Sequence, residues 1–107
     1  MTAISLSDDD LSKEDFGPFL TGIELVPFND YDALEELFEK KGDRIASFMV
    51  EPIQGEAGVI VPDDDYFPRV SELCKKHNVL LAMDEVQTGF GRTGENFAHQ
   101  LFGVKPD

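Results

Sequence analysis

The spacing of apolar positions changes along the chain, and each change marks an element. Arg44-Ile-Ala-Ser-Phe-Met-Val50 and Val79-Leu-Leu-Ala-Met83 are short, nearly unbroken apolar runs. Such runs suit strands covered on both faces, as in a parallel sheet. They predict strands over about 44–50 and about 79–83. Between them Phe67, Val70, Leu73 and Cys74 recur at helical spacing and predict a helix over about 65–77. Pro62-Asp-Asp-Asp65 places acids near the positive end of that helix's dipole. Pro68 is tolerable in a first turn, and Asn78 can stop the helix.

Leu34, Leu37 and Phe38 share one face of an earlier segment, while Glu35, Glu36, Glu39 and Lys40 face water. This predicts a helix over about 31–41, capped by Asn29 or Asp30 and closed by Gly42 as a C′ residue. Ile23-Glu-Leu-Val26 alternates enough for a short edge strand ended by Pro27. Residues 1–22 carry Gly17-Pro18 and Thr21-Gly22 as breakers and read as irregular. A short helix is expected over about 95–101.

Strand, helix and strand within about 40 residues make a βαβ unit, so the fold class is α/β with a parallel sheet. The crossover should be right-handed. Ligands of such sheets bind beyond the carboxyl ends of the strands. Glu51 and Asp84 are the first residues past those two ends. Neighbouring strands lie about 4.8 Å apart, so the two carboxylates should share one end of the sheet.

The charge balance narrows the ligand classes. Nine Lys and Arg face 22 Asp and Glu, for a formal charge of −13. A nucleic-acid binder needs a basic footprint that this chain lacks, and anionic membranes are disfavoured for the same reason. No run approaches the roughly 18 apolar residues of a spanning helix. The single Cys74 allows no disulfide within the chain and fits a reducing compartment. Met1-Thr-Ala-Ile-Ser-Leu-Ser7 has no basic residue, and Asp8, Asp9 and Asp10 follow. A targeting signal reads otherwise. A cytoplasmic location is therefore expected, with the mitochondrial matrix the alternative if residues precede Met1.

Four acids, Glu51, Glu56, Asp84 and Glu85, occupy the two strand-end loops. Solvated loop acids are the bland reading in so acidic a chain. A hard-cation site is a second, but the spacing matches no justified ligand loop. A third is that one acid holds a cationic ring nitrogen or guanidinium, which needs a permanent anion beside it. Gly89-Phe-Gly-Arg-Thr-Gly94 satisfies G-x-G-x-x-G in form. However, Asp84-Glu-Val-Gln-Thr88 separates it from the strand, and acids at a strand tip repel a pyrophosphate. Loop glycines permitting positive φ are the stronger reading. Cys74 falls on the apolar helix face and reads as core, and His77 and His99 have no ligand-spaced partner.

Glu51-Pro-Ile-Gln-Gly-Glu-Ala-Gly58 and Met83-Asp-Glu-Val-Gln-Thr-Gly-Phe-Gly-Arg-Thr-Gly94 resemble the signature loops of the class III pyridoxal-phosphate aminotransferases. Their wording is closest to the family's ornithine-specific branch. The resemblance extends to Phe16-Gly-Pro-Phe19, Val26-Pro-Phe-Asn-Asp30, Ala33-Leu-Glu35 and Val104-Lys-Pro-Asp107, and so covers nearly the whole chain. It implies pyridoxal 5′-phosphate as cofactor and the large cofactor-binding domain of a fold-type I enzyme. Residues 1–107 would be an internal segment of that domain, incomplete at both ends.

By the same resemblance, Asp84 would pair with the pyridine nitrogen, Val86 would pack on the ring and Gln87 would bond the ring hydroxyl. Glu56 would pair with an active-site arginine and release it when 2-oxoglutarate brings a carboxylate. Glu51 and Gln54 would support the site, and Arg92 would anchor the loop. Ornithine and 2-oxoglutarate would be the substrates, and the intact protein would be a homodimer or higher homo-oligomer.

The chain departs from the family pattern by omission: the arginine that binds the substrate carboxylate and the phosphate-binding loop would precede Met1. The lysine that forms the Schiff base comes after the Lys-Pro-Asp stretch in relatives and would lie beyond Asp107. No catalytic residue is therefore assigned within this chain. Acetylornithine- and 4-aminobutyrate-type enzymes are sister readings. A non-catalytic module associating with a full-length subunit is a reading of another class, as is a small acidic domain with a metal-dependent role.

Overall fold

The computed structural model describes residues 2–107. Six regular elements succeed one another: α1 (Thr2–Leu6), α2 (Asp10–Lys13), α3 (Tyr31–Lys41), β1 (Ser47–Val50), α4 (Tyr66–His77) and β2 (Leu80–Met83). Two 3-10 turns, Gly42–Arg44 and Ala98–Phe102, flank the sheet-forming region. β1 and β2 pair in parallel, with Ser47 opposite Leu80 and Val50 opposite Met83. The expected βαβ unit is therefore present, with α4 as its crossover.

α4 begins after Asp65 and ends at Asn78, whose φ of 56° lets its N–H reach back to Cys74 and Lys75 carbonyls. Asparagine tolerates this left-handed conformation, so the helix stops there. Val79 N–H donates to Cys74 O at 2.9 Å, which shortens the second strand to Leu80–Met83. α3 is capped by Asp30, whose carboxylate accepts from Ala33 N at 2.9 Å. Its C-cap Gly42 keeps a right-handed φ of −56° and leads into the first 3-10 turn. Glycine is needed there for space, since a Cβ would lie 2.5 Å from His77 Nδ1. That turn also delays β1 to Ser47.

The core is formed by Leu34 and Phe38 of α3, Tyr66, Phe67, Val70, Leu73 and Cys74 of α4, and Val79 and Leu81. Phe48, Val50 and Met83 pack against it from the sheet. Both long helices thus cover the same face. The expectation of strands covered on both faces is met on one only: Met49 is 49% and Leu80 56% exposed. The physical reason is alternation, since these residues point away from α3 and α4 and no other described element lies over them.

Three further expectations are corrected. Residues 1–22 contain α1 and α2. The acid run at 8–10 supplies a cap, with Asp9 Oδ1 accepting from Leu11 N at 3.0 Å. Ile23–Val26 forms no strand, because no described segment offers its backbone a ladder. The helix expected over 95–101 is the 3-10 turn Ala98–Phe102. Phe102 of that turn packs edge-on against Phe67, with centroids 5.0 Å apart, which fixes the turn to the core.

Candidate functional site: the two loops at the strand tips

Asp84 comes directly after β2, and its backbone N–H donates to Val50 O at 2.9 Å. The last rung of the sheet thus sets Asp84 beside the end of β1, where Glu51 begins the other loop. The Asp84 side chain is half-buried. Its Oδ1 accepts from Val86 N at 3.0 Å, which turns the chain sharply and leaves Oδ2 without a hydrogen bond among the described residues. Val86 is 91% exposed, an unusual position for a β-branched apolar side chain next to a half-buried acid.

The first loop folds back on itself. Gln54 and Ile60 exchange backbone hydrogen bonds at 3.0 and 3.1 Å. Glu51 Oε2 accepts from Gly55 N at 3.2 Å. Across the gap, Gln87 Nε2 donates to Glu56 Oε1 at 3.0 Å, which joins the two loops. Gly55 makes this contact sterically possible, because a Cβ there would overlap Gln87 Oε1. Glu51, Gln54 and Asp84 line a groove of about 760 Å³ that also takes in Phe48, Met49 and Ala82 of the sheet and Leu34 and Phe38 of α3. A smaller cleft of about 320 Å³ between Asn29–Asp32 and Asp63–Arg69 lies away from these loops. Arg69 stacks over the Tyr31 ring there at 3.7 Å.

The structure therefore gathers Glu51, Gln54, Glu56, Asp84, Val86 and Gln87 at one end of the sheet. Arg92 stands apart. It is exposed in the next turn, and its guanidinium forms no ion pair among the described residues. Within the described residues the loop is tied down by Glu85, one of the four strand-end acids, to which the sequence alone assigned no role. Glu85 accepts from Thr88 Oγ1 at 2.9 Å, Ala98 N at 2.8 Å and His99 N at 2.9 Å. His99 Nδ1 lies 3.0 Å from the same carboxylate. Adjacent acids thus part company: Asp84 faces the tip of the sheet, and Glu85 turns to the chain's own 3-10 turn.

Burial pushes the Glu85 carboxyl up, but the N–H groups of His99 and Ala98, with the Thr88 hydroxyl and His99 ring, outweigh it and hold the group below its usual 4.5. A carboxyl with a lowered folded value adds stability above its unfolded value. That stability is lost as pH falls through the lower folded value. Acidification below about pH 4.5 should therefore loosen this loop. In a full-length aminotransferase carrying this sequence, thermal midpoints tracked from about pH 6 to pH 3 should lose part of their acid dependence in Glu85→Gln. An unchanged acid limb would contradict the assignment.

The sequence profile described as Aminotransferase class-III matches residues 1–107. The chain belongs to the class III aminotransferases. It is 51% identical over 115 aligned residues to the ornithine aminotransferase of Emericella nidulans, covering all of this chain and 25% of that relative. The crystal structure of the ornithine aminotransferase from Toxoplasma gondii ME49 superposes with a TM-score of 0.92 at 47% identity, over 99% of this chain and 25% of that one. An (S)-enantioselective omega-transaminase from Thermomicrobium roseum superposes with a TM-score of 0.88 at 39% identity, over 98% and 28% of the two chains. This class III aminotransferase chain thus spans about a quarter of the length of the curated relatives it matches.

Class III aminotransferases use pyridoxal phosphate, and the groups at the strand tips are chemically suited to its ring. Asp84 offers an anion with one free oxygen, Val86 an accessible apolar side chain, and Gln87 an amide with a second N–H to give. No helix among the described residues is long and apolar enough to cross a membrane.

Gly55→Ala tests the packing between the loops. The clashing atom is the far end of a flexible side chain, so the fold should lose less than about 1 kcal/mol while Gln87 is driven off Glu56. With the bond between the loops lost, their backbone amides should exchange with solvent several-fold faster in a full-length aminotransferase carrying this sequence. Hydrogen exchange at Gly55 and Gln87 measures this, and unchanged rates would contradict it.

Proposed function

We propose that this chain is an internal segment of an ornithine aminotransferase, the part that presents the cofactor ring's partners. The reaction would move the δ-amino group of ornithine to 2-oxoglutarate, giving glutamate semialdehyde and glutamate. The observation that carries the reading is the pairing of Gln87 with Glu56 next to Asp84. It brings Glu56, to which this reading gives the task of distinguishing the two half-reactions, beside the groups that would hold the ring.

When bound, pyridoxal phosphate supplies an electron sink for charge developing at the substrate carbon. The residues here would tune and orient it. Asp84 keeps a proton on the ring nitrogen by offering a fixed negative charge. Val86 covers one face of the ring and excludes water from it. Gln87 donates to the ring hydroxyl with the N–H that Glu56 does not take. Glu56 neutralises an arginine from elsewhere in the protein while the amine substrate is bound, and yields it to the carboxylate of 2-oxoglutarate. Glu51 and Gln54 keep the Glu56 loop folded.

The complete protein carrying this segment should transfer amino groups from ornithine far faster than from N-acetylornithine or 4-aminobutyrate, measured as glutamate formed from 2-oxoglutarate. Equal or greater use of N-acetylornithine would assign the segment to another branch of the family. Exclusive use of 4-aminobutyrate would do the same.

A further inference from the structure

The Glu85 carboxylate, with its side chain 11% exposed, is placed to do more than satisfy its own charge. We propose that Glu85 is a positioning residue: by gripping the 3-10 turn Ala98–Phe102, it fixes the direction in which Asp84 and Val86 face the cofactor. The proposal rests on the pairing of Asp84 with the ring nitrogen.

Asp84 is held at its N–H by Val50 O, but the residues after it form a loop, and a loop pivots unless tied down. The turn of residues 85–89 closes locally, with Gly89 N–H donating to Glu85 O at 2.9 Å. A Cβ on Gly89 would lie 2.9 Å from that same carbonyl oxygen, so the turn is as tight as its backbone allows. Beyond it, Phe90 and Gly91 take left-handed φ values of 58° and 82°, and Phe90 is 93% exposed. The Phe90 ring leans on Phe97, itself partly exposed, rather than on the core.

The Glu85 side chain, by contrast, reaches back to a rigid body. Both its oxygens are engaged: Oε2 by Thr88 Oγ1 and Ala98 N, Oε1 by His99 N and Nδ1. Ala98 is fully buried, and Phe102 of the same turn packs on Phe67 in the core. The linkage therefore runs from core to Phe102, to the turn, to Glu85, and by one peptide bond to Asp84. Charge-assisted bonds to backbone N–H are among the stronger and more directional tethers available to a loop. A carboxylate meant to face a ring nitrogen needs its direction fixed in this way.

Glu85→Gln keeps the size but turns an –NH2 toward an N–H of Ala98 or His99, so the grip is broken at one oxygen. In the complete holoenzyme carrying this segment, kcat should fall about tenfold with KM for the amino donor within about twofold, since the donor is not touched. In the cofactor-free protein, the amides of Ala98 and His99 should exchange with solvent at least about tenfold faster. Should that variant fail to fold, Thr88→Val removes one of the four contacts and should show the same two changes at roughly two- to threefold. Faster exchange with unchanged kcat would reduce Glu85 to a structural cap and overturn the proposal, as would unchanged exchange. Asp84→Asn run alongside separates the two ideas. If it is slow while Glu85→Gln is normal, only the positioning role falls. If Asp84→Asn is itself normal, the pairing of Asp84 with the ring falls.

Discussion

Replacing Asp84 by Asn in the complete protein should lower the transamination rate by about three orders of magnitude, a loss of roughly 4 kcal/mol of transition-state stabilisation. The substitution keeps the shape, and the amide oxygen can still accept from Val86 N in place of Oδ1. The charge is what disappears. The acid is half-buried beside the last rung of the sheet, where a carboxylate interacts with a cation more strongly than in water. A ring nitrogen facing Asn has no counter-ion and gives up its proton, which weakens the electron sink. Cofactor affinity should fall less, because contacts elsewhere on the cofactor remain. Single-turnover kinetics with ornithine measures the effect, and a rate within tenfold of the parent would contradict it.

The second large effect concerns the 107-residue chain on its own. With pyridoxal phosphate, ornithine and 2-oxoglutarate it should form no glutamate above the cofactor-only background. Covalent catalysis needs a positioned amine, and by the family pattern the lysine that carries the cofactor comes after the Lys105-Pro106-Asp107 stretch. The lysines of α3 and α4 are held in surface ion pairs instead: Lys40 and Lys41 pair with Glu36 and Glu24, and Lys75 and Lys76 with Glu72 and Glu39. The same isolated chain should also unfold without a sharp transition. Its sheet has two strands, and one apolar face bearing Met49 and Leu80 is open to water. Turnover well above background, or a cooperative thermal transition in a monomer, would overturn these expectations.

The sheet tip was legible because it depends on local pattern. Unbroken apolar runs give the strands, the spacing of Phe67, Val70, Leu73 and Cys74 gives α4, and the residues just past each strand must be Glu51 and Asp84. Asn78 stops its helix as its chemistry suggests. The features that escaped depend on distant partners. Glu85 and Asp84 are indistinguishable as neighbouring acids, since two of the groups that bind Glu85 are backbone N–H groups 13 and 14 residues later, with no side-chain signature. Gly55 looks like any loop glycine until Gln87 is found lying on it. Ile23–Val26 has a strand's alternation but no neighbour to pair with, and β-propensity alone does not make a strand. The cap at Asp9 escaped because capping depends on the turn that comes next.

Every role proposed for the strand tips turns on Asp84 holding a proton on the nitrogen of a pyridoxal-phosphate ring. The most direct measurement is the ¹⁵N chemical shift of ring-labelled cofactor bound to the complete protein, compared between the parent and Asp84→Asn. A protonated pyridinium nitrogen is expected in the parent and an unprotonated one in the variant at the same neutral pH. The same protonation state in both proteins would refute that role for Asp84.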